Sequence, residues 1–249
     1  MKTILFTDID DCFIATKKKF LRNERLSIAS LDILGNARSY MSDKQKALLE
    51  LFIRGGTTII PVTGRSYCTL QRIQVGSLLN SWKIVSHGAL IVEPSGDKCQ
   101  AWLDYLDEEF PLTMWFDKMK KINESVNELI KSQGVEAKSY IVSEGDFACY
   151  ICVKCTEGVD YQSIFDSILL EAHIDVGSMK IHINGRNMAL LPPYAQKRLA
   201  VEFLANRLDK YDDHLTFTMG DSLSDIPFMK LADFALIPIK SQIADSLSW

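Results

Sequence analysis

The sequence predicts an α/β fold in which a parallel-sheet core is interrupted by an α+β insert, and three observations lead there. Short apolar runs alternate with amphipathic stretches near both ends of the 249-residue chain, the pattern of parallel βαβ units. These runs stop abruptly at acidic or hydroxyl-bearing residues. Between the two ends, strand-like segments gather around one long amphipathic stretch. The composition, 47% apolar and 24% charged with 13 Gly and 7 Pro, excludes disordered and collagen-like chains, because enough apolar surface is present to offset chain entropy. A chain of this size suits one large domain or a domain carrying an insert.

Ile4-Leu5-Phe6-Thr7 is a β-prone run closed by Asp8-Ile9-Asp10-Asp11, so the first strand is expected to carry carboxylates at its C-terminal end. Residues 17–40 are polar and without clear period; Lys17-Lys18-Lys19 reads as solvated surface, which near an anionic ligand could steer it. Ser42 and Gln45 form a capping-box pattern for a helix with Leu48, Leu49 and Phe52 on its apolar face, stopped by Gly55-Gly56. Thr57 to Val62 is the next strand and leads into Thr63-Gly64-Arg65-Ser66. Ser66 is placed to cap a helix through Leu70 and Ile73 to Leu79. Lys83 to Ser86 is the third strand, followed by His87-Gly88.

From there the period changes. Leu112, Trp115, Phe116, Met119, Ile122, Val126, Leu129 and Ile130 recur at helical spacing up to Gly134, a stripe expected to be core. Strands are expected at 99–103, 138–142, 147–154 and 179–183, with a helix at 160–172. Residues 92–188 therefore read as the insert, and 1–91 with 189–249 as the core domain. Pro192-Pro193 precede a helix bearing Leu199, Phe203 and Leu208. Leu215–Met219 and Phe234–Ile237 are strands, and Gly220-Asp221-Ser222-Leu223-Ser224-Asp225 lies between them with Ser224 as a helix cap.

With 28 basic and 32 acidic side chains the net charge is −4, which leaves no global field for a polyanion, so no nucleic-acid partner is expected. The N-terminal apolar run stops after Phe6, too short for a signal peptide, and no run approaches the ~18 residues of a bilayer span. A cytoplasmic protein without a membrane partner is expected; the sequence says nothing of oligomeric state. Cys149-x-x-Cys152-x-x-Cys155 has metal-like spacing, but strand alternation puts Cys149 and Cys152 on opposite faces, and packing is the expected role.

In an open parallel sheet, ligands collect at the carboxyl ends of the strands. Those ends here bear Asp8, Asp10 and Asp11, then Thr63-Gly64-Arg65, then Asp221 and Asp225. Converging carboxylates repel one another, and a hard cation such as Mg²⁺ relieves that repulsion through oxygen ligands. Thr63 and the Gly64 amide are donors of the kind that hold phosphoryl oxygens, and Lys197 offers a cation. A carboxylate nucleophile beside a metal and an ammonium suits phosphoryl transfer, where positioning and charge stabilisation dominate. Asp8 is the candidate nucleophile, and Asp10 the candidate general acid and base.

Taken in order, Asp8-Ile9-Asp10-Asp11-Cys12, Val62-Thr63-Gly64-Arg65, Lys197 and Gly220–Asp225 resemble the four motifs of the haloacid dehalogenase superfamily of phosphatases. Each alone is weak; four in order, at strand ends or helix starts, are specific. The resemblance implies a Rossmann-like core with the insert as the larger cap of the Cof-like, sucrose-phosphate phosphatase-like branch. Ser86-His87-Gly88-Ala89 resembles that branch's Asn-Gly-Ala segment, with His87 where Asn is common, and Cys12 stands where Thr or Val is usual. The resemblance further implies Mg²⁺ bound by Asp8, Asp10, Asp221 and Asp225, with Asp10 contributing its carbonyl and Asp225 supporting Lys197 or metal-bound water. Catalysis falls to Asp8, Asp10, Thr63 and Lys197, and substrate contacts to Thr63, Gly64, Arg65 and His87. The expected activity is Mg²⁺-dependent hydrolysis of a small phosphomonoester, a sugar phosphate or similar metabolite, through an aspartyl-phosphate. A phosphomutase or phosphotransferase of the same superfamily would use Asp8 and Asp10 equally. A non-catalytic phospho-ligand-binding protein is expected to lack at least one of these groups, and none is missing.

Overall fold

A computed structural model describes residues 2–171, 178–209 and 214–247. The chain divides into two compact units, Met1–Cys99 with Lys197–Trp249, and Gln100–Gln196. Both joints lie further along the chain than the 91/92 and 188/189 boundaries expected from sequence.

The first unit opens with β1 (Lys2–Thr7), then a hairpin of β2 (Leu26–Leu31) and β3 (Ala37–Ser42), then α1 (Asp43–Arg54), β4 (Thr58–Pro61), α2 (Tyr67–Leu70), β5 (Lys83–Val85) and β6 (Leu90–Val92). The hairpin fills most of the stretch in which the sequence has no period. Asp32 closes its turn by accepting the Leu34 and Asn36 N–H groups at 2.8 and 2.9 Å. Helix α1 starts as expected: Ser42 Oγ accepts the Gln45 N–H at 3.3 Å, and Gln45 Oε1 accepts the Ser42 N–H at 2.9 Å. Helix α2 departs from expectation by ending at Leu70 rather than Leu79. Leu31 N–H donates to Arg72 O at 3.1 Å and Gln74 N–H to Ala29 O at 2.8 Å, so pairing with the hairpin edge pulls the chain out of the helix.

The second unit contains α3 (Gln100–Glu109), α4 (Leu112–Gln133), β7 (Ala137–Glu144), β8 (Phe147–Cys155), α5 (Tyr161–Glu171), β9 (Lys180–Asn184) and β10 (Asn187–Leu191). Its strands form an antiparallel sheet in the order β7-β8-β10-β9. The strand expected at 99–103 is instead the start of α3, because Trp102 and Leu106, one helical turn apart, are both fully buried. Strand β10 lies where the sequence suggested none. Helix α4 buries Trp115, Met119, Val126 and Ile130 of the expected stripe and ends at left-handed Gly134. Asn127 of α4 donates to Ser139 O at 3.1 Å and accepts the Ser139 N–H at 3.3 Å, which ties β7 to the helix. All six cysteines lie among the described residues and none forms a disulfide.

The chain returns to the first unit with α6 (Lys197–Asp209), β11 (His214–Met219), α7 (Ile226–Met229), β12 (Phe234–Leu236) and α8 (Gln242–Ser246). The core sheet is parallel, in the order β12-β11-β1-β4. Leu5, Ile60 and Val62 are fully buried within it. Register decides what this sheet can do. Thr7 stands opposite both Met219 and Pro61, so three strands end level. Asp8 N–H donates to Met219 O at 2.8 Å and Val62 N–H to Thr7 O at 2.7 Å, extending the ladder just past those ends. Asp8, Thr63 and Asp221 therefore leave the sheet along one edge. Among the described residues no helix is long and apolar enough to cross a membrane.

Candidate active site

Asp8, the first residue beyond β1, is only 8% exposed. Its Oδ1 accepts the Ile9 N–H at 2.7 Å, and its Oδ2 lies 3.0 Å from Lys197 Nζ. Lys197 opens α6 and also stands 2.7 Å from Asp225 Oδ1, so one ammonium bridges two carboxylates. Asp225 is fully buried, and its Oδ2 accepts the Ser222 N–H at 3.1 Å and the Ser222 hydroxyl at 2.9 Å. Sequence reasoning assigned Ser222 no role; a serine three residues before an aspartate in a turn was the only local signal. Ser224, expected as a cap, instead pairs its hydroxyl with that of Ser222 at 2.7 Å, and Asp225 occupies the cap position of α7.

Carboxylate oxygens of Asp8, Asp221 and Asp225 lie within 4.8 Å of one another. Three acids share one ammonium, which leaves negative charge uncompensated. Burial pushes Asp8 up to about 8; Lys197 opposes the rise, while Asp225, Asp10 and Asp221 add to it. Burial, with Asp225 and Asp11, pushes Asp221 up to about 6. Asp225 moves the other way: burial is outweighed by Lys197 and by the Ser222 hydrogen bonds, which hold it below the usual carboxylate range. Burial works against the Lys197 charge too, but Asp8 and Asp225 outweigh it and hold the ammonium above the ordinary lysine range. The ammonium touches both, nearer Asp225 at 2.7 Å than Asp8 at 3.0 Å. Asp8 and Asp221 are left as hard oxygen donors short of positive charge, which fits a divalent cation such as Mg²⁺.

Thr63 sits beside this cluster's edge of the sheet, where its N–H donates to Ile84 O at 2.9 Å and its Oγ1 accepts the Arg65 N–H at 3.1 Å. The next loop docks onto it: His87 N–H donates to Thr63 O at 3.0 Å and Ser86 N–H to Arg65 O at 2.8 Å. Ser86 and His87 have φ of 52° and 60°. Left-handed backbone costs on the order of 1–2 kcal/mol for such residues, and the two hydrogen bonds hold them there. The turn lays the His87 ring on Gly64, where a Cβ would lie 2.5 Å from His87 Cε1. Only glycine leaves room for the ring.

Arg65, expected at the substrate, forks Asp10: Nε donates to Oδ2 at 2.7 Å and Nη2 to Oδ1 at 2.6 Å. Nη2 also lies 3.5 Å from Ser39 Oγ of the hairpin, a residue without any sequence signal. Asp11, at φ 59°, pairs with Lys19 at 3.0 Å, so one of the three lysines read as solvated surface reaches the acidic loop. Cys12 is buried, in keeping with packing. Gly220 has no room for a side chain, since a Cβ would lie 2.6 Å from Asp225 Cβ and 2.7 Å from Met229 Sδ. Gly220→Ala is therefore expected to cost ~1–3 kcal/mol, as overpacking does, and to lower turnover by displacing Asp225. Thermal unfolding measured beside steady-state kinetics checks both.

The sequence profile of the family described as Sucrose-6F-phosphate phosphohydrolase matches residues 1–249. The sucrose-phosphatase of Synechocystis sp. PCC6803, solved with sucrose and phosphate, is similar at TM-score 0.55 and 18% identity over 94% of this chain and 82% of its own. An IMP-nucleotidase mutant of Plasmodium falciparum gives 0.59 and 10% identity over 98% and 66%. A haloacid dehalogenase-like hydrolase from Bacteroides thetaiotaomicron gives 0.51 and 10% over 98% and 96%. At such identities the structural likeness speaks for the fold. Among curated proteins none matches this chain. With the profile covering the chain from end to end and the motif residues gathered on one sheet edge, the protein belongs to the Sucrose-6F-phosphate phosphohydrolase family and is a phosphatase of the haloacid dehalogenase type.

Proposed function

We propose that the protein hydrolyses a sugar phosphate through a phosphorylated Asp8. The observation that carries this reading is the Lys197 bridge, which pins Asp8 at the end of β1 next to under-compensated Asp221. An Asp8 oxygen bonds to phosphorus, the bond from phosphorus to the sugar oxygen breaks, and Asp10 gives that oxygen a proton. Asp10, now a carboxylate, takes a proton from water as the water oxygen bonds to phosphorus. The bond to Asp8 then breaks, which restores its carboxylate and frees inorganic phosphate. Thr63, the Gly64 N–H and Lys197 stabilise the phosphoryl oxygens throughout, and His87 lines the same loop.

Asp8 and Asp221, with the Asp10 carbonyl, are the groups that would hold Mg²⁺. When bound, that ion supplies positive charge opposite the phosphoryl oxygens. Asp225, also expected among the ligands, stands in the same cluster; its oxygens accept from Lys197 and Ser222, so it supports Lys197 as well. The family match favours a sugar as the leaving group. The test is phosphate release from sucrose 6F-phosphate, other sugar phosphates, nucleotides and phosphoglycerates, with Mg²⁺ and with chelator. Sugar phosphates should lead and chelation should stop release. Turnover indifferent to chelator overturns the metal assignment, and a preference for nucleotides overturns the substrate class.

A further inference from the structure

We infer that Arg65 is the positioning residue for Asp10, fixing the plane of its carboxylate and thereby the direction in which the proton reaches the leaving oxygen. This rests on the reading of Asp10 as the proton carrier and goes beyond it by assigning the group that aims it. The fork is two-armed, with contacts of 2.7 and 2.6 Å to different oxygens. A planar guanidinium held that way sets the orientation of a carboxylate as well as its charge. The partners differ in exposure: the Arg65 side chain is 11% exposed and that of Asp10 41%. The guanidinium is the enclosed half and the carboxylate the presented half.

Arg65 is itself anchored at several points. Its N–H donates to Thr63 Oγ1 at 3.1 Å, its carbonyl accepts the Ser86 N–H at 2.8 Å, and Nη2 reaches Ser39 Oγ at 3.5 Å. Asp10 has no such frame of its own. It lies in a tight turn where Phe13 and Ile14 both donate to Ile9 O, which fixes its main chain and leaves its side-chain torsions to be set by a partner. With a proton on one Asp10 oxygen, the other still accepts from the fork. An arginine that bound substrate would present its nitrogens outward; here Nε and Nη2 are spent on Asp10.

Leaving-group dependence separates this role from substrate binding or simple support. A proton donor matters more as the departing oxygen becomes more basic. A sugar alkoxide needs the proton, whereas p-nitrophenolate departs without it. kcat/KM ends at that first departure and so isolates the step. The experiment compares wild type, Asp10→Asn, Arg65→Met and Arg65→Lys on sucrose 6F-phosphate, phenyl phosphate and p-nitrophenyl phosphate. Arg65→Met should lower kcat/KM ~100-fold on the sugar phosphate and by less than ~10-fold on p-nitrophenyl phosphate, within the usual span of general acid catalysis, with phenyl phosphate between. Arg65→Lys, which keeps the charge and loses the fork, should show the same ordering with smaller losses; it carries the test if Arg65→Met does not fold. Equal losses on all three esters overturn the inference. If Asp10→Asn itself shows no leaving-group ordering, the reading of Asp10 fails; if it shows one and the Arg65 variants do not, the inference alone fails.

Discussion

Asp8→Asn is expected to abolish phosphate release and, at the same time, to raise the melting temperature of the metal-free protein at pH 8. The first effect follows from chemistry: an amide oxygen does not form the phosphoryl ester, and removing a covalent nucleophile costs on the order of 10⁴-fold or more. The second follows from burial, which lifts Asp8 from 3.8 to about 8. The folded state then holds a proton that the unfolded chain releases at lower pH. Stability from this group is complete below about 3.8 and drains away as pH rises towards about 8. Asparagine carries no charge to bury, so it removes the decline. Melting curves of both proteins from pH 4 to 8 in chelator should diverge with rising pH, by ~2–4 °C for each kcal/mol relieved in a chain of this size. Added Mg²⁺ should narrow the gap by stabilising wild type. A variant that retains turnover, or melts lower than wild type at pH 8 in chelator, contradicts the charge balance described for the site.

Lys197→Met should be the most destabilising single change at the site. It strands Asp225, which is fully buried, with Ser222 as its remaining side-chain partner among the described residues, and removes the cation beside Asp8. Breaking a buried pair by deleting one member costs ~3–5 kcal/mol, because the other charge stays behind. Turnover should be lost with it. The pH dependence has a definite sign. Asp225 is held below its ordinary value, so the stability it contributes with Lys197 is present above the usual carboxylate range and disappears as pH falls through its lowered value. The gap between wild type and Lys197→Met in urea unfolding should accordingly shrink towards acid. Adding Asp225→Asn to Lys197→Met should restore stability without restoring activity, since the stranded charge is gone but the ammonium is still missing. If the double variant is no more stable than the single one, the loss comes from packing of the lysine stem instead.

Local chemistry explains why some elements could be read directly. The Ser42–Gln45 box, the stop at Gly134 and the stripe of α4 each depend on groups within a few residues of one another, and all three are present. Where a distant segment competes, local signals fail. The Ser66 cap is formed, yet α2 stops after one turn because residues 72–74 are claimed by the hairpin edge. The short run after Cys99 has both strand and helix character, and burial of Trp102 with Leu106 selects the helix.

By itself the sequence determined which chemical groups stand at the strand ends: carboxylates after β1 and β11, a hydroxyl and a glycine after β4, a lysine at the start of α6. Those are properties of adjacent residues and need no partner to be seen. Tertiary structure alone decided that Thr7, Pro61 and Met219 finish level, that Lys197 bridges Asp225 and Asp8, and that Arg65 aims at Asp10 across 55 positions of chain. Strand register and the sharing of a buried charge are settled by competition among all the groups that the fold brings within a few ångströms, and neighbouring residues in the chain carry no record of that contest.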